Sequence, residues 1–346
     1  DTKRGCSSLC HFSADSHLIA WLHAKKIDYE IITDHELDEE GFAALDGYPC
    51  VILGTQPEYH TSNTLNALQE YRDCGGNIAY LGGSGFYWKI ARHPQDASLL
   101  EIRRNEGGRR TWASQPGEYY HAFDGQYGGM WRQNGRPPQH LVGVGFATHG
   151  NSSAAPFKRV CYDPHLKWIF RGIEKDKILG DFGFSGNGAA GFEFDHVDDS
   201  KPVYDGLLCT VLARSFVPVA HRPGEGFTNA RDERNNSIFD LNPEEVVMDA
   251  NDPSGLSGDI NSARADMVYA ISPGRGQVFS AGTTCFCDSL AWNNFDNNMS
   301  TLLTNIILKF ASLGGDEKLN YSDDEGAELS VSSGLKLHPS THGLAV

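Results

Sequence analysis

The feature that most limits how this chain can fold is the stretch from Val51 to Trp88, VILGTQPEYHTSNTLNALQEYRDCGGNIAYLGGSGFYW. A short apolar run, Val51-Ile52-Leu53, is patterned as a buried strand and ends at Gly54-Thr55. A polar loop, Gln56 to His60, follows. Thr61 or Ser62 can cap a helix whose apolar positions Leu65, Leu68 and Tyr71 recur at helical spacing, and Gly75-Gly76 ends it. Asn77 to Leu81 reads as a second buried strand, closed by the glycine turn Gly82-Gly83-Ser84-Gly85. Two strands joined through a helix run parallel, and sheets of that kind take ligands at their carboxyl ends. The loops 55–61 and 82–88 are therefore expected at one edge of a sheet.

The flanks extend this pattern. Leu18 to Lys26 reads as a short amphipathic helix, Tyr29 to Thr33 as a strand, Asp34 to Glu40 as an acidic turn, and Gly41 to Leu45 as a second helix. Residues 1–16 read as an irregular N-terminal segment. Residues 17–312 read as one α/β domain, a flavodoxin- or Rossmann-like layered sheet with an insertion at about 89–200. In that insertion, 99–104 and 109–112 are patterned as paired strands around Gly107-Gly108. A long loop from Gln115 to Pro138, rich in Gly, Tyr, Trp, His and Arg, has the texture of a functional loop. Leu141 to Phe146 is expected as a strand, and Gly183 to Asp195 is glycine-rich and ends in the acidic pair Glu193 and Asp195. Gly206 to Phe216 carries a strand. Asp266 to Ile271 and Gly276 to Ala281 form a strand pair, and Met299 to Phe310 is an apolar helix. Residues 313–346, acidic and serine-rich, read as a flexible or partner-wrapping tail.

Charge and cysteine usage narrow the function classes. A formal charge of −16 over 346 residues, with no basic stripe, argues against nucleic acid as a partner. No apolar run approaches a membrane span and no signal-peptide pattern opens the chain. The first residue is Asp1 rather than Met, the pattern of a fragment or a trimmed product. The eight cysteines include no CxxC pair, and Cys6 and Cys10 lack a second pair to complete a zinc site. Buried reduced thiols and a cytoplasmic setting are the expectation. There is no GxGxxG opening a helix and no GxxxxGK[ST], so a nucleotide cofactor has no support.

Oxygen and imidazole side chains at the loop edge are the stronger chemical signal. Tyr59 and His60 leave a buried strand, Glu118, Tyr119, Tyr120 and His121 follow a Pro-Gly turn, and His17 opens the first helix. Carboxylate, phenolate and imidazole are donors that a hard ion such as ferric iron accepts. Ser84 invites comparison with a nucleophile elbow, but the turn lacks the G-x-S-x-G spacing and its following helix.

The run GTQPEYHT…ALQEYRDCGGNIAYLGGSGFYW resembles the C-terminal half of the large, catalytic subunit of the N,N-dimethylformamidases. The likeness continues through EIRRNEGGRRTW, PGEYYHAFDGQYGGMWRQNGRPPQHLVGVGF, GDFGFSGNGAAGFEFD, RADMVY and QVFSAG, and covers most of residues 12–312. It implies a glutamine-amidotransferase-like α/β layer, preceded in the family by a lectin-like β-domain. It implies iron-dependent hydrolysis of dimethylformamide to dimethylamine and formate, by large and small subunits whose heterodimers assemble further. The family's mononuclear Fe(III) site is described as two tyrosines and a glutamate. Tyr59 matches one tyrosine, and His17 stands where the other is expected. Glu118 is the carboxylate of choice, with Glu101 the alternative. Ser84 falls where the family usually has Asn. On this resemblance His121 or Glu193 would move the proton to the departing amine, and Phe86, Trp88, Tyr120 and Trp131 would wall a small apolar pocket. Two other functions stay open: a non-catalytic or assembly subunit, and a metal-independent serine hydrolase using Ser84.

Overall fold

The computed structural model describes residues 12–105, 115–184, 188–199, 203–204, 206–218, 239–241, 262–312 and 344–345. The expected strand at 109–112, Cys6 and Cys10, and nearly all of the 313–346 tail lie outside them.

Helix α1 (Phe12–Ala24) begins before the expected Leu18 and buries Leu18, Trp21 and Leu22. Strand β1 (Tyr29–Glu30) follows. Where an acidic turn was expected, Asp34–Glu40 is helix α2. The cause is a capping box: the Thr33 hydroxyl accepts from the Glu36 N–H, and the Glu36 carboxylate accepts from the Thr33 N–H. The acidic first turn also sits favourably at the positive end of the helix dipole. Then come β2 (Cys50–Leu53), β3 (Tyr59–His60), α3 (Ser62–Asp73) and β4 (Asn77–Tyr80). Thr61 is the N-cap of α3, accepting from the Thr64 N–H. The order expected for 51–81 stands, with β3 added.

Strand β5 (Trp88–Arg92) runs parallel to β3 and antiparallel to β6 (Leu100–Ile102), so the described partner of the expected 99–104 strand is β5. The strand expected at Leu141 to Phe146 is instead a short helix, α4 (Gln139–Val142), which Gly143 ends in the left-handed conformation at φ +79. A Cβ there would also stand 2.8 Å from the Cys209 sulfur. Strand β7 (Gly145–Ala155) starts only after that turn, followed by β8 (Lys158–Arg159), β9 (Ala190–His196), β10 (Val203–Tyr204), β11 (Leu207–Pro218) and β12 (Phe239–Leu241). Strands β13 (Ser262–Ile271) and β14 (Gln277–Ser280) form the expected antiparallel pair around Pro273-Gly274. Helices α5 (Phe286–Leu290) and α6 (Asn298–Ser312) precede β15 (Leu344–Ala345).

The architecture is mixed α/β. The main sheet, among the described residues, has the order β1-β15-β2-β4-β14-β13-β11-β10, with β8 also on β11. Its half from β1 to β14 is parallel and its half from β14 to β10 antiparallel. Val51, Ile78 and Val278 are in register on one face, and Ile52, Ala79 and Phe279 on the other. The first set packs with Leu65, Leu68 and Tyr71 of α3; the second packs with Trp21 of α1 and with Leu303 and Ile307 of α6. A sheet covered by helices on both faces reads as continuous apolar runs, which is why these strands were legible. Cys50, Cys161 and Cys287 are buried free thiols, and Cys285 is buried too. No helix among the described residues is long and apolar enough to cross a membrane.

Candidate functional site

The carboxyl ends of β2, β4 and β14 meet the end of β9 and the start of α1. As expected, the loops after β2 and β4 share this edge: Gly83 N–H donates to Thr55 O at 3.2 Å, Phe86 N–H to Pro57 O at 2.7 Å, and Trp88 N–H to Glu58 O at 2.9 Å. A Cβ on Gly82 would come within 2.4 Å of Thr55 O, so only glycine lets the two loops touch. Asp15 of α1 accepts from both the N–H and the hydroxyl of Thr55, each at 2.9 Å. Buried Glu193 accepts from the Gln56 side chain at 2.8 Å.

Asp195, two residues along β9, holds the glycine turn. It accepts from Ser84 N–H and from the Tyr80 hydroxyl, both at 2.8 Å, while the Tyr80 oxygen accepts from Gly85 N–H. Ser84 and Phe86 each have φ of +56, backbone that a non-glycine residue adopts at a cost. Burial pushes the Asp195 carboxyl up to about 7, against the lowering effect of those two hydrogen bonds. Ser84 is itself buried, and among the described residues no histidine bonds its hydroxyl. His17 lies at the rim of this edge, stacked on Phe184 with centroids 5.2 Å apart. Asp288 on α5 faces it; burial raises that carboxyl and Asp15 raises it further, while His17 lowers it.

The remaining expected residues sit on or beside the β3–β5 layer. Tyr59 is 39% exposed and in register with buried Trp88. His60, on the opposite face of β3, is buried and stacked on Phe86 at 4.7 Å. Trp131 donates its indole N–H to His60 O at 3.2 Å. Trp88 and Trp131 are almost fully buried and Phe86 equally so, whereas Tyr120 is exposed and packs edge-on against Tyr127. Glu118 lies on an exposed turn whose carbonyl accepts from Arg103 at 3.4 Å. Glu101 is already engaged by Arg103 at 2.6 Å and by Phe123 N–H at 3.0 Å. Burial raises its carboxyl, but these bonds outweigh that and hold it below the usual range.

His121 is the anomaly of the layer. It is 1% exposed, and neither ring nitrogen has a hydrogen-bond partner. Its Nδ1 stands 3.5 Å from the Asp124 carboxylate. Burial depresses its pKa, which Asp124 and Glu101 counteract in part while Lys89 and Arg103 add to it. Lys89 is buried too, donates to Gln126 Oε1 at 2.7 Å, and lies 5.4 Å from the Trp131 ring centroid. A neutral imidazole with a free nitrogen can accept a proton near neutral pH.

Thus His121 and Lys89 meet at Gln126, Lys89 also lies over Trp131, Phe86 and Trp131 are joined through His60, and Glu193 lies with Gln56 at the sheet edge. The residues missed from sequence are Lys89, Asp124 and Asp288, and the structural role of Asp195. Only Asp195 left a signal, the alternation Glu193-Phe194-Asp195 that puts both carboxylates on one face of β9. Among the described residues no three His, Cys, Asp or Glu side chains cluster as a metal cage. A metal held here would draw on another donor type, such as a phenolate.

The family described as N,N-dimethylformamidase beta subunit-like, C-terminal, matches residues 3–298. The N,N-dimethylformamidase beta subunit of Paracoccus aminophilus is 31% identical over 312 residues, which is 89% of this chain and 38% of the relative. The protein of the same name from Alcaligenes sp is 29% identical over 310 residues, again 89% of this chain and 38% of the relative. The chain therefore spans 38% of the length of the curated relatives it matches. Both relatives are named as beta subunits, where the motifs alone pointed to a subunit called large and catalytic.

Proposed function

The chain belongs to the N,N-dimethylformamidase beta subunit-like, C-terminal family, and from that premise we propose that it carries the hydrolytic centre for the C–N bond of small N-alkylated amides such as N,N-dimethylformamide, releasing formate and dimethylamine. The observation that carries this beyond family membership is His121, a buried neutral imidazole with both ring nitrogens unpartnered inside a functional-type loop. A partner subunit is part of the proposal, in keeping with the word beta in the relatives' names. The glutamine-amidotransferase-like layer is proposed too, supported by the parallel strands β2, β4 and β14 with loops gathered at their carboxyl ends.

Tyr59, His17 and Glu118 would hold mononuclear Fe(III), and their phenol, imidazole and carboxylate groups are donor types that this ion takes. When bound, such an ion polarises an amide carbonyl and lowers the pKa of a water. The chain's own groups supply the rest. His121 Nε2 accepts the proton of the attacking water, with Asp124 steering the ring from Nδ1. Glu193, held by Gln56, is a second group able to pass a proton to the departing amine. The buried rings of Phe86, Trp88 and Trp131, with Tyr120 outside them, form an apolar surround suited to N-methyl groups.

The test is amine release from formamide, methylformamide and dimethylformamide, before and after stripping metal. Release that falls on stripping and returns with iron supports the proposal. Release that ignores metal but vanishes in Ser84→Ala would replace it with serine chemistry.

A further inference from the structure

We infer that His121, Lys89 and Gln126 form a binding site for a small carboxylate, the acid half of a cleaved amide; the identity of the ligand rests on the proposed reaction.

Three observations converge on this cluster. The His121 ring is buried and both nitrogens lack partners, a costly arrangement unless something visits. Asp124 stands at Nδ1, which leaves Nε2 to face a ligand; with the proton it takes up in the proposed reaction, Nε2 becomes a donor to a carboxylate oxygen. Lys89 brings a buried ammonium with three N–H groups, of which Gln126 Oε1 takes one. That same oxygen also accepts from Ser62 Oγ at 3.3 Å, so the Gln126 amide keeps its NH₂ as a donor. Ser62 is the first residue of α3, and the positive end of a twelve-residue helix dipole therefore lies beside Gln126.

The charges nearby decide the sign of the ligand. Glu101 is paired with Arg103, and the charge of Asp124 is set against Lys89. The Arg136 guanidinium, bonded to the neutral Asn66 and Gln69 side chains and 5.4 Å from the Trp131 centroid, adds a further positive charge, so an anion is favoured over a cation. Asp124 and Gln126, beside the ring, are exposed. The Trp131 ring beneath Lys89 leaves an apolar wall, matching an acid with a hydrogen or methyl beside its carboxylate.

The experiment is a titration of the ¹⁵N-histidine-labelled chain with sodium formate and sodium acetate at constant ionic strength, followed by NMR, with chloride and phosphate as controls. A saturable shift of the His121 ring signal with formate is expected. Lys89→Met should weaken it by about tenfold or more, the scale of a charge-assisted hydrogen bond. Because Lys89 is buried, Gln126→Leu at an exposed position is the second variant and should weaken binding severalfold. No saturable shift, an equal response to chloride or phosphate, or unchanged affinity in Gln126→Leu overturns the inference. Formate binding without amine release supports the site while removing the proposed reaction; amine release without a formate response at His121 does the reverse.

Discussion

At the carboxyl edge of the main sheet, the half-buried carboxylate of Asp15 and the buried ones of Glu193 and Asp195 are each met by a donor from a neighbouring segment. In the β3–β5 layer, His121 is equally buried and met by none. Both regions are dense in side chains that chemistry uses, but a satisfied group and an orphaned one teach different things. Asp195 spends its acceptors on Ser84 N–H and Tyr80, and so fixes a strained turn. His121 leaves both ring nitrogens without a hydrogen-bond partner. The edge is a frame with reactive groups at its rim, and the layer presents a group in waiting.

Breaking this comparison begins with the layer. Tyr59→Phe removes the phenolate donor proposed for iron and should lower amine release by about 100-fold or more, measured with dimethylformamide. Retained activity would remove Tyr59 from the site. Next is His121→Asn, which should cost about 10² to 10⁴ in rate at pH 7.5 with little loss of stability, since its nitrogens make no bonds to lose. A rate unchanged by this variant would show the layer to be scaffold.

Asp195→Asn probes the frame instead. One acceptor oxygen becomes a donor facing Ser84 N–H or Tyr80, and the expected loss is about 1–3 kcal/mol in chemical denaturation. Its pH signature is distinct. Burial lifts the folded carboxyl to about 7, while the unfolded one stays near its ordinary value of 3.8. The folded state therefore holds the extra proton between these values, and the stability it contributes is present at low pH and lost as pH rises towards 7. Asp195→Asn should flatten that slope. His121 acts in the opposite sense: its depressed pKa makes the unfolded state the better proton binder below about 6.5, so stability falls as pH drops. The smallest effect belongs to Ser84. Ser84→Asn suits a φ of +56 at least as well as serine and should keep both fold and amine release, whereas a complete loss of activity would restore the serine as a nucleophile.

The parallel core was readable because its strands are buried on both faces and so appear as unbroken apolar runs. Helix α2 was missed although its signal was local, Thr33 followed by Glu36, because the density of acids suggested a turn. The α4 region was misread because Leu141 to Phe146 is apolar, yet Gly143 needs a left-handed backbone that breaks a strand. Of the residues proposed for the site, Tyr59, His121 and Glu193 stand out by residue type and loop context. Lys89 does not. Its meaning depends on a strand register with β3 and on Gln126, which arrives from a loop 37 positions later, and no local pattern encodes that meeting.

The most direct test of the account is the iron content and visible spectrum of the purified chain, taken with amine release from dimethylformamide. The account predicts about one iron per chain and a phenolate-to-iron absorption that Tyr59→Phe abolishes together with activity. An iron-free chain that releases dimethylamine at the same rate would contradict it.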